Sequence, residues 1–325
     1  MPLMMTPIGG LSATDQKKMI DLIHADSLYN EKIIKESIKK PKYSFKGKFM
    51  LKQKMMIFEY VAKQMLKKPS KRKSIKGEQL KRPMITDPKV KKMYADMINK
   101  KIDAKSSKLK DATDDFAIRQ KARLVANMAK KLKSLKKKFS IDSVFDIKKE
   151  TALSIEFITP FIEEFLKEAG MESLATIAPQ EIFTADTKRI KKFIDKRSAF
   201  FAKTMNNTTL QKLTPTLAEG IAAGDGIGDM IQRVENVYSE FPKYRSELIA
   251  RTEATTANNE GILESFKQSE VVNGKEWITA GDDRVRDEHA AMDGEIVGVN
   301  EKFSDGEMYP SEPNCRCVLG GAFIE

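Results

Sequence analysis

The chain has 325 residues, 41% of them hydrophobic and 32% charged, with a formal net charge of +12; this is globular composition with room for two or three domains, and it excludes a disordered polyelectrolyte. No apolar run approaches the ~18 residues of a membrane span, and the opening Met1-Pro-Leu-Met-Met-Thr-Pro lacks the regions of a secretory signal, so a cytoplasmic product is expected. The two cysteines, Cys315 and Cys317, lie too close together to staple distant segments, which excludes a disulfide framework and leaves thiols or a metal.

Asp15 to about Lys39 reads as a helix ended by Pro41, and Phe49 to Leu66 as a second, closed by Pro69. The basic, breaker-rich stretch from Lys67 to Gly77 reads as a linker. Lys89 to Lys101 is predicted as a short helix. Asp114 or Asp115 is expected to open a longer one, striped by Ala117, Leu124, Met128, Leu132 and Leu135 and ending at Lys136-Lys137-Lys138. Its outer face is lysine-rich.

From Asp142 the texture becomes apolar. Phe145 through Leu166 reads as a buried helix with Gly170 as its C-terminal cap. Phe183 to Asp186 opens another helix through Ile190, Ile194 and Phe200, and Thr208 or Thr209 is expected to cap the next. Gly224-Asp-Gly226-Ile-Gly228 has neither a strand before it nor Lys-Ser/Thr after it, so it reads as a helix-to-helix turn rather than a phosphate loop. Ile227 to Tyr238 forms one more helix.

Tyr244 to Phe266 carries the stripe Leu248, Thr252, Thr255, Asn259, Ile262 and Phe266. Three polar residues at the centre of a core-facing stripe require polar partners packed on them. Arg251 and Glu253 flank this stripe. Val271 to Thr279 suggests a hairpin around Asn273-Gly274, Asp282 or Asp283 is expected to cap a short helix stopped by Gly294, and Glu295–Val297 and Cys317–Leu319 read as strands. The organisation expected is a basic helical region over 1–141, a helical connecting domain over 142–243 and a small α+β module over 244–325, mostly α as a whole.

Charge divides along the chain. From Ala250 to Glu325 there are 7 Lys+Arg against 16 Asp+Glu, a balance of −9, leaving 51 against 30, or +21, for the first 249 residues. A polyanion-facing end is one reading and a solvated lysine-rich helical surface the other. On the first, Lys71, Arg72, Lys73, Lys130, Lys131, Lys136, Lys137 and Lys138 are the candidates for non-specific contact with duplex DNA.

The chemistry concentrates at the C-terminus. His289, Cys315 and Cys317 are three zinc-type ligands, with Asp287, Asp293 or Glu312 as a fourth. The alternative is two small buried thiols and a hydrogen-bonded core histidine. Arg251, Glu253, Asp283, Arg284, Arg286 and Arg316 form a charged set in which Glu253 is expected to hold an arginine from the Asp-Asp-Arg-Val-Arg loop or from Cys-Arg-Cys. Arg251 or Glu253 is expected to bond the Asp282–His289 segment or Cys315–Cys317.

These residues carry a resemblance. Arg251, Glu253, Asn259, Gly261, Trp277, Asp283, Arg284, Arg286, His289, Gly294, Cys315, Arg316 and Cys317 follow the order seen in the phage Mu F-like family of minor head proteins, over about 40% of the chain. The resemblance implies a small α+β head module, and a virion protein of the inner head and portal vertex that acts in head assembly and early DNA ejection. Implied partners are the portal protein, the major capsid or scaffolding protein and double-stranded DNA. It also implies a zinc knuckle, which many members complete with a Cys-x-x-Cys where this chain has Arg286-Asp-Glu-His289. No enzyme activity is expected; the alternative is a zinc-dependent hydrolase or toxin-like effector built on a head-protein module.

Overall fold

The computed structural model describes residues 80–131, 141–240 and 244–325, together with Met56, Ile57 and Tyr60. The helix expected over 15–39, the linker over 67–77, Lys71, Arg72 and Lys73, and Lys136, Lys137 and Lys138 lie outside these residues. In chain order the elements are β1 (Lys81–Pro83), α1 (Pro88–Lys131), α2 (Ile141–Val144), α3 (Ile147–Ile177), α4 (Lys188–Ala222), α5 (Ile227–Ser239), α6 (Tyr244–Gln268), β2 (Gly274–Ile278), α7 (Asp287–Ala291), β3 (Ile296–Gly298) and β4 (Val318–Ile324). The protein is mostly α with a small C-terminal sheet, as the patterning predicts.

Helix α6 is the centre of the fold. Every residue from Glu253 to Phe266 is buried, so the helix has no solvent face over that stretch. It packs against α3, α1 and the sheet. Ile162, Phe165 and Leu166 of α3, Ile98 and Ile102 of α1, and Trp277 and Leu319 of the sheet join one hydrophobic cluster with Ile262 and Phe266. A second cluster at the far end of α1 gathers Leu124 and Met128 with Phe145, Leu213, Leu217, Met230 and Val234.

The sheet is antiparallel throughout, in the order β1-β4-β2-β3. Lys81 faces Ile324, Gly274 faces Gly298 and Trp277 faces Leu319. One edge strand therefore comes from before α1, nearly 240 residues away from its partner β4. The sheet curls enough for Lys81 Nζ of that edge to donate to Ile296 O of the other, at 2.9 Å.

Four sequence expectations are corrected. The helices expected over 89–101 and from Asp114 are one 44-residue helix, α1. Its buried line runs Ile102, Ser106, Leu109, Thr113, Phe116, Gln120, Leu124 and Met128, so polar residues at Ser106, Thr113 and Gln120 interrupt the apolar signal without breaking the helix. Phe116, not Ala117, belongs to that line.

Gly170 does not cap α3, which continues to Ile177. A Cβ at Gly170 would stand 2.2 Å from Phe183 Cζ, so the missing side chain makes room for a ring. Thr208 and Thr209 lie inside α4, where their hydroxyls donate to the carbonyls of Thr204 (2.9 Å) and Met205 (3.0 Å); threonine bonded back in this way needs no helix start. Asn273-Gly274 is not a hairpin turn. The Asn273 amide closes the end of β4, donating to Ile324 O at 2.8 Å and accepting from Ile324 N at 2.9 Å. The turn at the glycine cluster is present, with Gly224 at φ 76°, a conformation glycine adopts without strain.

Helix α6 approaches α3 closely at Gly261, where a Cβ would lie 2.3 Å from Leu166 O and 3.0 Å from Gly170 N. Those are backbone atoms and cannot swing aside. Gly261→Ala should destabilise the fold by about 1–3 kcal/mol through overpacking. Gly228→Ala, facing open space on α5, should instead leave stability unchanged or raise it by up to ~1 kcal/mol. Denaturant titration of the two variants checks both signs.

Candidate metal centre

The polar stripe of α6 finds its partners in one irregular segment, residues 310–317. Asn259 Nδ2 donates to Pro310 O (2.8 Å) and Cys317 O (3.2 Å), Thr255 Oγ1 to Cys315 O (3.4 Å), and Asn314 N donates to Thr252 Oγ1 (3.1 Å). A loop without secondary structure must satisfy its buried carbonyls somewhere, and these side chains supply the donors. Asn314 takes φ 57°, a left-handed turn that brings Cys315 and Cys317 back towards α7.

That path places both sulfurs beside His289. Cys315 Sγ and Cys317 Sγ each lie 3.6 Å from His289 Nδ1, all three side chains are buried, and the three ligand atoms lie within 4.8 Å of one another. Ligands of a tetrahedral zinc, at ~2.3 Å for sulfur and ~2.0 Å for nitrogen, stand about 3.5 Å apart. The observed spacing has that size. The hydrogen bond from Cys317, ahead of the backbone bond from Cys317 and the charges of His289 and Arg286, pulls the Cys315 thiol below its ordinary range. Cys317 is pushed up, by its hydrogen bond to Cys315 and by burial. The Trp277 ring is buried and stands edge-on to His289 at 5.2 Å.

The carboxylates expected as fourth ligand do not join this cluster. Glu312 lies on the far side of the imidazole, with Oε2 3.3 Å from His289 Nε2. Asp293 Oδ1 accepts from Thr279 N (2.8 Å) and Thr279 Oγ1 (3.0 Å). Asp287, in the first turn of α7, is likewise outside the group of three. A carboxylate behind a ligating imidazole fixes its tautomer and orientation, which suits Glu312 as support rather than ligand.

The charged residues pair differently from expectation. Glu253 is held by Arg197 of α4, through bonds of 2.7 and 2.9 Å, not by an arginine of the C-terminal loops. Arg251 turns to α1, bonding Asp103 and, at 3.0 Å, Asn99. Asn99 in turn donates to Arg316 O at 3.0 Å, so the Cys-Arg-Cys segment is reached through α1. Arg316 pairs with Asp282, and Arg286 with Pro313 O (2.5 Å) and Glu312 (3.1 Å). Asp283 and Arg284 are exposed, and Asp282 is the acid that organises the turn, accepting from Arg284 N at 3.2 Å. Gly294 sits at φ 84° and donates its N–H to Trp277 O, tying α7 to β2.

Arg197 was legible on one ground. It interrupts the line Ile190, Ile194, Ser198 and Phe201 on the inner face of α4, where an arginine needs a buried acid.

Helix α6 holds two further buried acids. Glu264 takes Arg189 at 3.1 Å and Lys267 at 2.9 Å. Glu260 is pushed up to about 7, chiefly by burial and further by Glu264, against Lys267, Tyr309 and Lys275. Lys275, whose Nζ donates to Met308 O at 2.7 Å, is drawn down to about 8, chiefly by burial.

Two outcomes follow. Glu253→Ala leaves Arg197 unpaired and should cost about 3 kcal/mol, whereas Arg197→Met with Glu253→Leu should recover most of it. A denaturation double-mutant cycle measures this. Because Glu260 titrates higher in the native state than unfolded, its contribution favours folding below about pH 4.5 and is lost as pH rises through about 7. Glu260→Gln should therefore gain on the wild type between pH 5 and 8, by on the order of 2 kcal/mol. Unfolding free energies at pH 5 and pH 8 that change in parallel for the two proteins would contradict this.

Residues 211–320 match the family described as Phage Mu protein F like protein. The uncharacterized protein YqbB of Bacillus subtilis (strain 168) is 27% identical over 179 residues, 50% of this chain and 58% of that one. The minor head protein GP7 of Bacillus phage SPP1 is 29% identical over 123 residues, 34% of this chain and 40% of that one. The chain thus spans about half the length of the curated relatives it matches. No solved structure matches. The C-terminal third of the chain, in which α6 beds the histidine and the two cysteines, is the part that is similar to the Phage Mu protein F like family.

Proposed function

We propose that the chain is a minor head protein of a tailed phage that joins the inner head at the portal vertex and acts in head assembly and early DNA ejection. One observation carries this: the family match over residues 211–320 covers the segment that α6 stitches together, in a chain that is also similar to a minor head protein. The partners proposed are the portal protein, the major capsid or scaffolding protein, and double-stranded DNA. The role is structural, since the histidine and cysteines are buried within the module. No helix among the described residues is long and apolar enough to cross a membrane.

The same reading includes a structural zinc held by His289 Nδ1 and the thiolates of Cys315 and Cys317. Zinc would supply the positive charge that lets both sulfurs ionise in a buried site.

Tagged chain expressed during infection should copurify with assembled heads, and a pull-down should recover portal protein. Heads that never contain the chain would end the minor-head reading, while heads without portal recovery would end the portal contact alone. For the metal, protein purified without chelator should carry about one zinc per chain. Cys315→Ser should lose it and become protease-sensitive over 299–325 first. Metal-free wild-type protein would return the cluster to two thiols and a core histidine.

A further inference from the structure

The candidates for DNA contact drawn from the sequence lie mostly outside the described residues, but the structure presents a basic ridge that they do not include. Lys188, Lys192, Lys196 and Lys203 are all exposed on α4. At 3.6 residues per turn they fall within an arc of about 80° and span about 22 Å along the axis. None of the four forms an ion pair or a side-chain hydrogen bond among the described residues. The neighbouring cations are occupied: Arg189 by Glu264, Lys191 by Asp186 and Arg197 by Glu253. Asp195 stands at the edge of the arc as its one acid.

The placement also runs against the helix's own electrostatics. α4 opens Lys188-Arg-Ile-Lys-Lys192, with no acid in its first turn. Cations at a helix N-terminus oppose the macrodipole, by roughly 0.3–1 kcal/mol each. Arg189 and Lys191 are compensated by Glu264 and Asp186, but Lys188 and Lys192 are not, and a local choice that costs stability without a compensating contact is characteristic of a functional surface. Thr187 caps the helix, its hydroxyl accepting from Ile190 N at 3.2 Å, so the start is well formed despite the charge.

We propose that this ridge of α4 lies along the phosphate backbone of double-stranded DNA. Charge complementarity names a polyanion, and lysines one turn apart, about 6 Å along the axis, match an extended row of phosphates better than a single anion. Phe200 is the one exposed aromatic on the ridge, and the Arg197 guanidinium lies over its ring at 5.1 Å. A lone ring is no platform for successive bases, which favours duplex over single strands. The inference deepens the minor-head reading and rests on its DNA contact. Recognition is independent of sequence, because lysines on phosphates read no base edges.

Fluorescence anisotropy of the full chain with a mixed-sequence 30-base-pair duplex, over a salt series, tests it. The variant carrying Lys188→Gln, Lys192→Gln, Lys196→Gln and Lys203→Gln should bind at least tenfold more weakly. Its slope of log affinity against log salt should be shallower by about 3–4, near 0.9 for each phosphate contact. A charge-matched control with Lys89, Lys148, Lys149 and Lys167 changed to Gln should stay within about twofold of wild type. Unchanged circular dichroism and Trp277 emission certify the folds. If the fourfold variant fails to fold, the pairs Lys188/Lys192 and Lys196/Lys203 should each remove about half the slope.

Wild-type binding that both variants share equally would overturn the ridge and leave DNA contact standing elsewhere on the chain. No wild-type binding would overturn the DNA contact and this inference together. Loss of head incorporation by the ridge variant, in a wild type that ignores DNA, would assign the ridge to an acidic protein surface and overturn the proposal.

Discussion

Everything C-terminal of residue 244 depends on a helix that has no solvent face. Burying α6 from Glu253 to Phe266 takes two threonines, two asparagines, three glutamates and a serine away from water. Each such group costs stability unless it finds a partner, so the neighbouring elements are set by what these side chains need. α4 brings Arg189 and Arg197 to the acids, α1 brings Asn99 and Asp103 to Arg251, and the 310–317 segment offers carbonyls to Asn259 and Thr255. The thiols and the imidazole meet because that segment is laid down one hydrogen bond at a time.

This also explains why the centre is polar where a helical core is ordinarily aliphatic. Leucines at 255 and 259 would bury more apolar surface, but they would leave the carbonyls of Pro310, Cys315 and Cys317 without these donors. Breaking one member of such a network exposes the remainder to the low-dielectric penalty that the pairing had offset. The glycine at 261 belongs to the same logic, since backbone contact with Leu166 brings α3 close enough to seal the helix from water.

The sequence was most informative where a side chain's need is local. The polar stripe of Thr252, Thr255 and Asn259 announced an irregular polar partner, and the clustering of His289, Cys315 and Cys317 announced their meeting. It was least informative where the answer lies across the fold. Nothing near Glu253 points to Arg197, 56 residues earlier, or near Arg251 to Asp103. Helix ends were misjudged for a related reason. Gly170, Thr208 and Thr209 carry the local chemistry of termini, yet tertiary contacts give them interior roles: clearance for the Phe183 ring, and back-bonding within α4. Strand β1 is three residues long and owes its existence to β4, so no local pattern announces it.

The antiparallel pairing of β1 with β4 makes the family's signature and the folding unit two different stretches of chain. Residues 211–320 carry the likeness to the family, but alone they lack the sheet's outer strand, the last residues of β4, both long helices that seal α6 and the arginines that pair with its acids. Expressed by itself, such a stretch would hold a helix bare on two sides, with Glu253 unmatched and Glu264 left to Lys267 alone. Kinship is thus read in a stretch whose fold is completed from outside it, by two covering helices, two arginines and one edge strand.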